Sequence, residues 1–328
     1  MAIRFLRGDV LNRLVVVWRF VIRWYVSAPV LAGLGVLVGW AIFFHGAPEK
    51  PEIGVIDIPG TVISRSTAST IGDFLDFARD TDSIKAVVIK LSSPGGGAAS
   101  SEKLFLKTLD LRGKKPVVVF VEDLAASGGY MWAMGANHIF VNPTSLVGSV
   151  GVIFSLPGIP EPDENLVFSG PAKLTGAPRR TFTQLTEMVK ESFLDIVISQ
   201  RGDRLKITRD EVAEARLYAG MEAVRLGLAD EIGSDTDAMK KAADLAGIAN
   251  YDVVDINAEV LRLFIQKLDR IFGTSAADGD KESVTRFQLY KEFWPSLDNM
   301  DSMDSVLPGF PGDLNLPQIY HLYVPPSN

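Results

Sequence analysis

Pro116-Val117-Val118-Val119-Phe120-Val121, followed by Ala125-Ala126-Ser127-Gly128-Gly129-Tyr130, decides the reading of this chain. The first stretch is short, apolar and β-branched, which predicts a buried strand. The second sets small residues at the strand's end and leads into helix-like residues from Tyr130 to Ala136. A serine at such a corner projects its hydroxyl from a tight turn, near the backbone N–H groups of a helix start. That is a nucleophile's position. The chain's histidines are His45, His138 and His321, and none is suitably placed to activate Ser127. The base has to be sought among other side chains.

Outward from this corner, strand-like and helix-like segments alternate from Ile53 to about Ile256. Strands are predicted at Ile53 to Ile58, Ala86 to Leu91 and Ile139 to Val141. Helices are predicted at Thr70 to Ala78, Ser101 to Leu111, Thr186 to Gln200, Arg209 to Ala215 and Asp235 to Ala246. This order implies βα crossovers and a largely parallel, buried sheet, an α/β fold. Beyond it, Val260, Leu261, Phe264, Ile265, Leu268 and Phe272 give residues 257–272 the spacing of an amphipathic helix. It packs on the core or serves as an oligomer contact. Residues 273–328 are polar, acidic and broken by prolines, and read as a largely disordered tail. Within it Ile319-Tyr320-His321-Leu322-Tyr323-Val324 is a β-prone island, able to add to a free sheet edge.

The chain has 328 residues, a net charge of −7 and no cysteine. The charge gives no electrostatic support to nucleic-acid binding. The missing thiols exclude disulfides, thiolate catalysis and cysteine-based metal sites. Nothing in the sequence asks for a metal or a cofactor. Val26 to Phe44 carries no charge and as a helix would span about 28 Å, close to a bilayer core. Arg4, Arg7, Arg13, Arg19 and Arg23 precede it against the single acid Asp9. The positive-inside rule then puts residues 1–50 down as a cytoplasmic N-terminus and lipid-embedded anchor. The rest of the chain falls on the periplasmic or extracellular side of an inner membrane. A cleaved signal peptide is the competing reading, but the basic region and the apolar run are both long for one. Gly35 and Gly39 form a small-residue pair of the kind that packs membrane helices, although glycine is common in such helices anyway.

A second constellation is Ser92-Ser93-Pro94-Gly95-Gly96-Gly97, straight after the Ala86 strand. Its glycines let backbone N–H groups approach a ligand closely. It lacks the Lys-Ser/Thr of a phosphate loop and the G-x-G-x-x-G of a dinucleotide fold, so oxyanion donors are the better reading.

Together, a strand ending in S-P-G-G and the next ending in A-S-G-G-Y resemble the ClpP/crotonase superfamily, whose spiral fold repeats ββα units. The closer resemblance, over 51–256, is to the signal peptide peptidase A family of membrane-anchored serine peptidases. Thr144 to Ile153, Ser169-Gly170-Pro171-Ala172-Lys173 and Leu217 to Gly233 carry it further. The resemblance implies a serine–lysine dyad: Ser127 as nucleophile, Lys173 as general base, Ser149 orienting the lysine amine, and the N–H groups of Gly96 and Gly128 as oxyanion hole, with Gly95 a near alternative for Gly96. It also implies a homo-oligomeric ring acting on cleaved signal peptides or unfolded segments near the bilayer. In chains of this length the dyad is expected to form across a protomer interface, so that Ser127 and Lys173 of one chain stand apart.

The chemistry asks for these types on its own terms. A serine hydroxyl needs a base. A lysine, with an ordinary pKa of about 10.4, becomes one only when burial lowers that value. By itself Lys173 reads as a solvated surface lysine, and Ser149 equally as a turn or helix cap. His138 reads as structural, and Glu122 and Asp123 as loop charges with no histidine to orient. Two departures from the family stand out. Ser155-Leu-Pro-Gly-Ile-Pro-Glu-Pro-Asp replaces a helix of relatives and cannot be regular helix. Leu174 replaces a polar residue after the lysine. Two other classes of function stay open: a crotonase-type acyl-CoA enzyme, which would need a carboxylate acid/base, and a catalytically silent membrane scaffold.

Overall fold

The computed structural model describes residues 15–19, 23–46, 50–155, 169–170, 172–272 and 319–322. Most of the predicted basic N-terminus, of the proline-rich Ser155 segment and of the predicted disordered tail lies outside these residues. The chain divides into two compact units, Met1–Lys50 and Pro51–Asn328.

The first unit contains helix α1 (Trp24–Gly46), with Pro29 near its start and Leu31, Leu34, Val36, Leu37 and Trp40 exposed. Among the described residues no helix is long and apolar enough to cross a membrane. The span expected over 26–44 is therefore not supported by the described residues.

The second unit is a mixed α/β fold built on a parallel sheet. It starts with two successive ββα units. In the first, β1 (Glu52–Ile58) and β2 (Val62–Ile63) precede α2 (Arg65–Asp80). In the second, β3 (Ile84–Ser93) and β4 (Gly95–Gly97) precede α3 (Ala98–Arg112). The helix α2 begins earlier than its apolar periodicity shows, because Ser64 and Thr67 form a capping box. Then come β5 (Val117–Ala126), α4 (Gly128–Ala133), β6 (His138–Val141), β7 (Leu146–Gly148) and β8 (Ile153–Phe154). After the short α5 (Ala172–Thr175) follow α6 (Arg179–Arg201), α7 (Arg209–Ala213), β9 (Leu217–Ala219) and α8 (Gly220–Leu226). The elements β10 (Glu231–Ile232), α9 (Asp235–Ala246), β11 (Asp252–Asp255), α10 (Ile256–Phe272) and β12 (Ile319–Leu322) complete the order.

The main, eight-stranded sheet has the path β10-β6-β5-β3-β1-β11, parallel along its length, with β7 joining β5 in parallel and β9 pairing antiparallel with β7. Its central strands are buried on both faces, as βα crossovers require. One face carries Ile56, Ile89, Val119, Trp132 and Phe193; the other carries Ile53, Val88, Val118 and Ala242 of α9. The long strand β5 changes partners along its length. Val118 to Val121 pair with β6, whereas Leu124 to Ala126 pair with β7. A second, small sheet has the order β2-β4-β12-β8. Val260, Leu261 and Phe264 of α10 pack on the main core, so this face of the helix is core packing.

An ion pair ties the far end of α6 to the sheet. Arg201 is 3% exposed and donates to Asp230 through two nitrogens, at 2.8 and 3.1 Å, and through Nε to the Gly227 carbonyl at 2.6 Å. Asp230 also accepts from the Ile139 N–H at 2.8 Å.

Candidate active site

The site lies at the carboxyl ends of β3, β5 and β7, where open α/β sheets place their ligands. Parallel register sets Ser93 beside Ala125 and Ala126 beside Gly148. Ser127 and Ser149 are thus the next residues of two neighbouring parallel strands, and the glycines of β4 follow on the third.

Both serines leave their strands with φ positive, 52° at Ser127 and 54° at Ser149. Non-glycine residues rarely adopt this region, and holding one there costs about 1–3 kcal/mol. The position of Ser127 is enforced from both sides. Its N–H donates to the Gly148 carbonyl at 2.8 Å, and its own carbonyl accepts from the Met131 N–H at 2.9 Å. Ser127 precedes α4, yet its hydroxyl makes no capping bond to that helix. It is 1% exposed, so the strained corner is also a shielded one. Ser149 is half-buried and its N–H donates to the Arg216 carbonyl at 2.8 Å.

This strain gives a prediction. Ser127→Gly removes the hydroxyl and relieves the positive φ, whereas Ser127→Ala removes the hydroxyl alone. The glycine variant is expected to be more stable than the alanine variant by about 1 kcal/mol, once glycine's extra unfolded-state entropy is set against the relief. Thermal unfolding of the two variants measures it; alanine equal to or above glycine would contradict a strained corner.

Gly96 is held against β2. A Cβ there would lie 2.2 Å from the Ile63 carbonyl oxygen, backbone that cannot swing away. Gly96→Ala is expected to push β2 from β4 and destabilise the protein by about 1–3 kcal/mol, read as a lower Tm. An unchanged Tm would show that the strands are not in this register. Ser93, quoted in the sequence motif but given no role, organises this turn. It is fully buried, donates to the Thr61 carbonyl at 2.6 Å and accepts from the Gly95 N–H at 3.2 Å. It also packs under Gly129, where a Cβ would come within 2.8 Å of the Ser93 carbonyl. The signal in the sequence is a small polar residue ending a strand whose centre, Ala86 to Ile89, is apolar.

Lys173 is exposed on α5, and among the described residues no hydrogen bond joins it to Ser127 or Ser149. His138 sits at the opposite end of the sheet from the site. It pairs with Val118, and the strand from there to Ser127 is about 25–30 Å long. Its Nε2 is buried and, among the described residues, has no hydrogen-bond partner, with Glu231 Oε1 at 3.6 Å, and burial pushes its pKa down. Glu122 pairs with Lys90 at 3.1 Å, and Asp123 is exposed. Among the described residues no cluster of His, Asp and Glu could hold a metal ion.

Similar proteins now bear on the site. The model of "Peptidase family S49" matches residues 110–160 and 167–249, the stretch that carries Ser127, Ser149 and Lys173. A protein named as a protease in Synechocystis sp. is 30% identical over 212 residues, 61% of this chain and 76% of its own length. One named as a protease in Methanocaldococcus jannaschii is 35% identical over 204 residues, 57% of this chain and 64% of its own. "Serine protease SPPA, chloroplastic" of Arabidopsis thaliana is 30% identical over 222 residues, 63% of this chain and 32% of its own. A solved membrane-bound stomatin-specific protease in complex with a substrate peptide covers 63% of this chain at 18% identity and a TM-score of 0.45. The class these relatives define is the serine peptidases. Within it, the chain belongs to peptidase family S49. It spans 64% of the length of the M. jannaschii protein and 32% of the Arabidopsis one.

Proposed function

We propose that this chain is a serine endopeptidase whose nucleophile is Ser127 and whose base, Lys173, is supplied by a neighbouring copy in a homo-oligomeric ring of ClpP-like spiral domains. The observation that carries the reading is the strained, buried Ser127 at the end of β5, with no cap bond from its hydroxyl and with Ser149 on the next strand. Lys173, exposed on its own chain, would enter an apolar setting against another protomer, and that setting would leave its amine able to take a proton.

In this mechanism the lysine amine removes the Ser127 hydroxyl proton as Oγ attacks the peptide carbonyl. The Gly96 and Gly128 N–H groups hold the oxyanion that forms. Ser149 aims the amine. Collapse breaks the C–N bond, the lysine returns its proton to the leaving amine, and an ester to Ser127 remains. Water, deprotonated by the same lysine, releases the acyl group and regenerates the hydroxyl.

The substrates on this reading are peptides, among them cleaved signal peptides and unfolded segments near a bilayer, with residues 26–44 as the lipid anchor. The relatives described above are named as proteases, which favours a peptidase over an acyl-CoA enzyme or a silent scaffold. A fluorophosphonate tests the nucleophile directly. The expected result is one adduct per chain, mapped by mass spectrometry to Ser127 and absent from Ser127→Gly. An adduct on another serine, or none, would overturn the assignment.

A further inference from the structure

We infer that Phe182, held between Phe154 and Gly176, is a positioning residue for Lys173: its ring fixes the lysine-bearing turn against the strand that leaves the Ser149 corner. The inference rests on Lys173 as the base for its consequence, but not for the clamp itself. Phe182 is 6% exposed, yet it belongs to neither face of the main core. It lies in the first turns of α6, where Arg179, Arg180, Thr183 and Gln184 around it are exposed. Its burial is therefore made locally. On one side it meets Phe154 of β8, with ring centroids 5.0 Å apart and planes inclined by 31°. On the other it lies under Gly176, the residue after α5, where a Cβ would come within 3.1 Å of the Phe182 Cζ.

Both neighbours belong to segments of the site. Phe154 follows Ser149 by five residues, and Gly176 follows Lys173 by three. The helix α5 is four residues long, far below the length at which a helix holds its own shape. Where its lysine stands is therefore set by what the ends of the helix touch. Its C-terminal end is the turn at Gly176, whose φ of 77° brings bare backbone onto the ring. The helix α6 is anchored independently, by Phe193, Leu194 and Val197 in the core and by the Arg201 pair at its far end. Phe182 passes that fixed position on to α5, and its tilted pairing with Phe154 adds a geometric preference to the apolar contact. A general base has to stand within hydrogen-bond reach of the hydroxyl it deprotonates, and a displacement of about 1 Å costs about 100-fold in rate. Ser149 is held separately, by the Arg216 carbonyl. Loss of the ring thus frees the lysine turn rather than the serine corner. Since Lys173 serves the neighbouring copy, the clamp acts on the lysine a chain gives, not on the serine it keeps.

Phe182→Ala tests this in the full chain. It is expected to raise hydrogen exchange over 172–177 and leave that of β3 and β5 unchanged. In hydrolysis of a short fluorogenic peptide it is expected to lower kcat about 100-fold with KM unchanged. Phe182→Leu, which keeps apolar bulk under Gly176, should hold kcat within about threefold of wild type. Mixed assemblies assign the effect to a chain. Phe182→Ala is placed either on the Ser127→Ala chain, which gives the lysine, or on the Lys173→Ala chain, which gives the serine, and each is co-refolded with the other single variant. The first mixture should hydrolyse peptide about 100-fold more slowly than Ser127→Ala with Lys173→Ala, and the second at the rate of that reference mixture. Equal losses in the two mixtures would show a structural residue and overturn the positioning role. Unchanged exchange over 172–177 would overturn the clamp. A reference mixture without activity would sink the shared dyad, and the kcat of Phe182→Ala alone would then decide the positioning. The exchange measurement does not need catalysis, so a protein that hydrolysed no peptide would sink the peptidase reading while the clamp was still decided.

Discussion

Alanine at Ser127, or at Lys173, is expected to lower kcat for peptide hydrolysis by about 10⁴- to 10⁶-fold. The two losses should be alike in size and far from additive in the double variant, since a nucleophile without its base and a base without its nucleophile fail at the same step. Their effects on stability should be small. Lys173 is exposed, and replacing a surface side chain usually changes stability by no more than about 0.5 kcal/mol. A structural lysine could not give that combination. Peptide hydrolysis and thermal unfolding on the same samples check it. Loss of activity that tracked loss of folded protein would contradict it.

The second large effect falls on stability. Asp230→Asn is expected to destabilise the protein at neutral pH by about 3–5 kcal/mol, because it leaves the Arg201 guanidinium buried without its counter-charge. The pH dependence has a definite sign. Burial by itself pushes the Asp230 carboxyl up, but the Arg201 hydrogen bonds and charge, the Ile139 N–H and Arg204 together outweigh it. The folded-state value therefore lies below the ordinary 3.8. A depressed carboxyl contributes stability above its unfolded value of about 3.9, and that contribution is lost as pH falls through the lower folded value. Urea unfolding at pH 7 and near pH 3 should show the gap between wild type and Asp230→Asn narrowing in acid. A gap that stayed constant would mean that the pair is not what α6 leans on.

Much of this was legible in the sequence where the physics is local. Apolar β-branched runs marked β1, β3, β5 and β6, and 3.6-residue periodicity marked α2, α3, α6 and α9. The Ser127 corner was legible because small residues cluster where a strand must turn sharply into a helix. The short strands were not. β4 is three glycines, and β7, β8 and β9 are two or three residues each, so no periodicity can declare them. They become strands only through partners far away in sequence, and those partners build the site. The role of Ser93 was hidden for the same reason, since its bonds run to Thr61 and under Gly129. The start of α6 at Arg179, seven residues before its apolar pattern predicts, reflects an N-terminal turn that is mostly exposed. Lys173 was singled out only by its motif, because nothing about an exposed lysine on a four-residue helix marks a base.

The central claim is that Ser127 of one chain is activated by Lys173 of another. Mixing tests it most directly. Ser127→Ala and Lys173→Ala are each inactive alone, yet a ring assembled from both contains interfaces with an intact serine from one partner and an intact lysine from the other. Co-refolded in equal amounts, they are predicted to recover about a quarter of wild-type peptide hydrolysis by random pairing at each interface. Hydrolysis no greater than that of either variant alone, with assembly shown to be normal, would contradict the account.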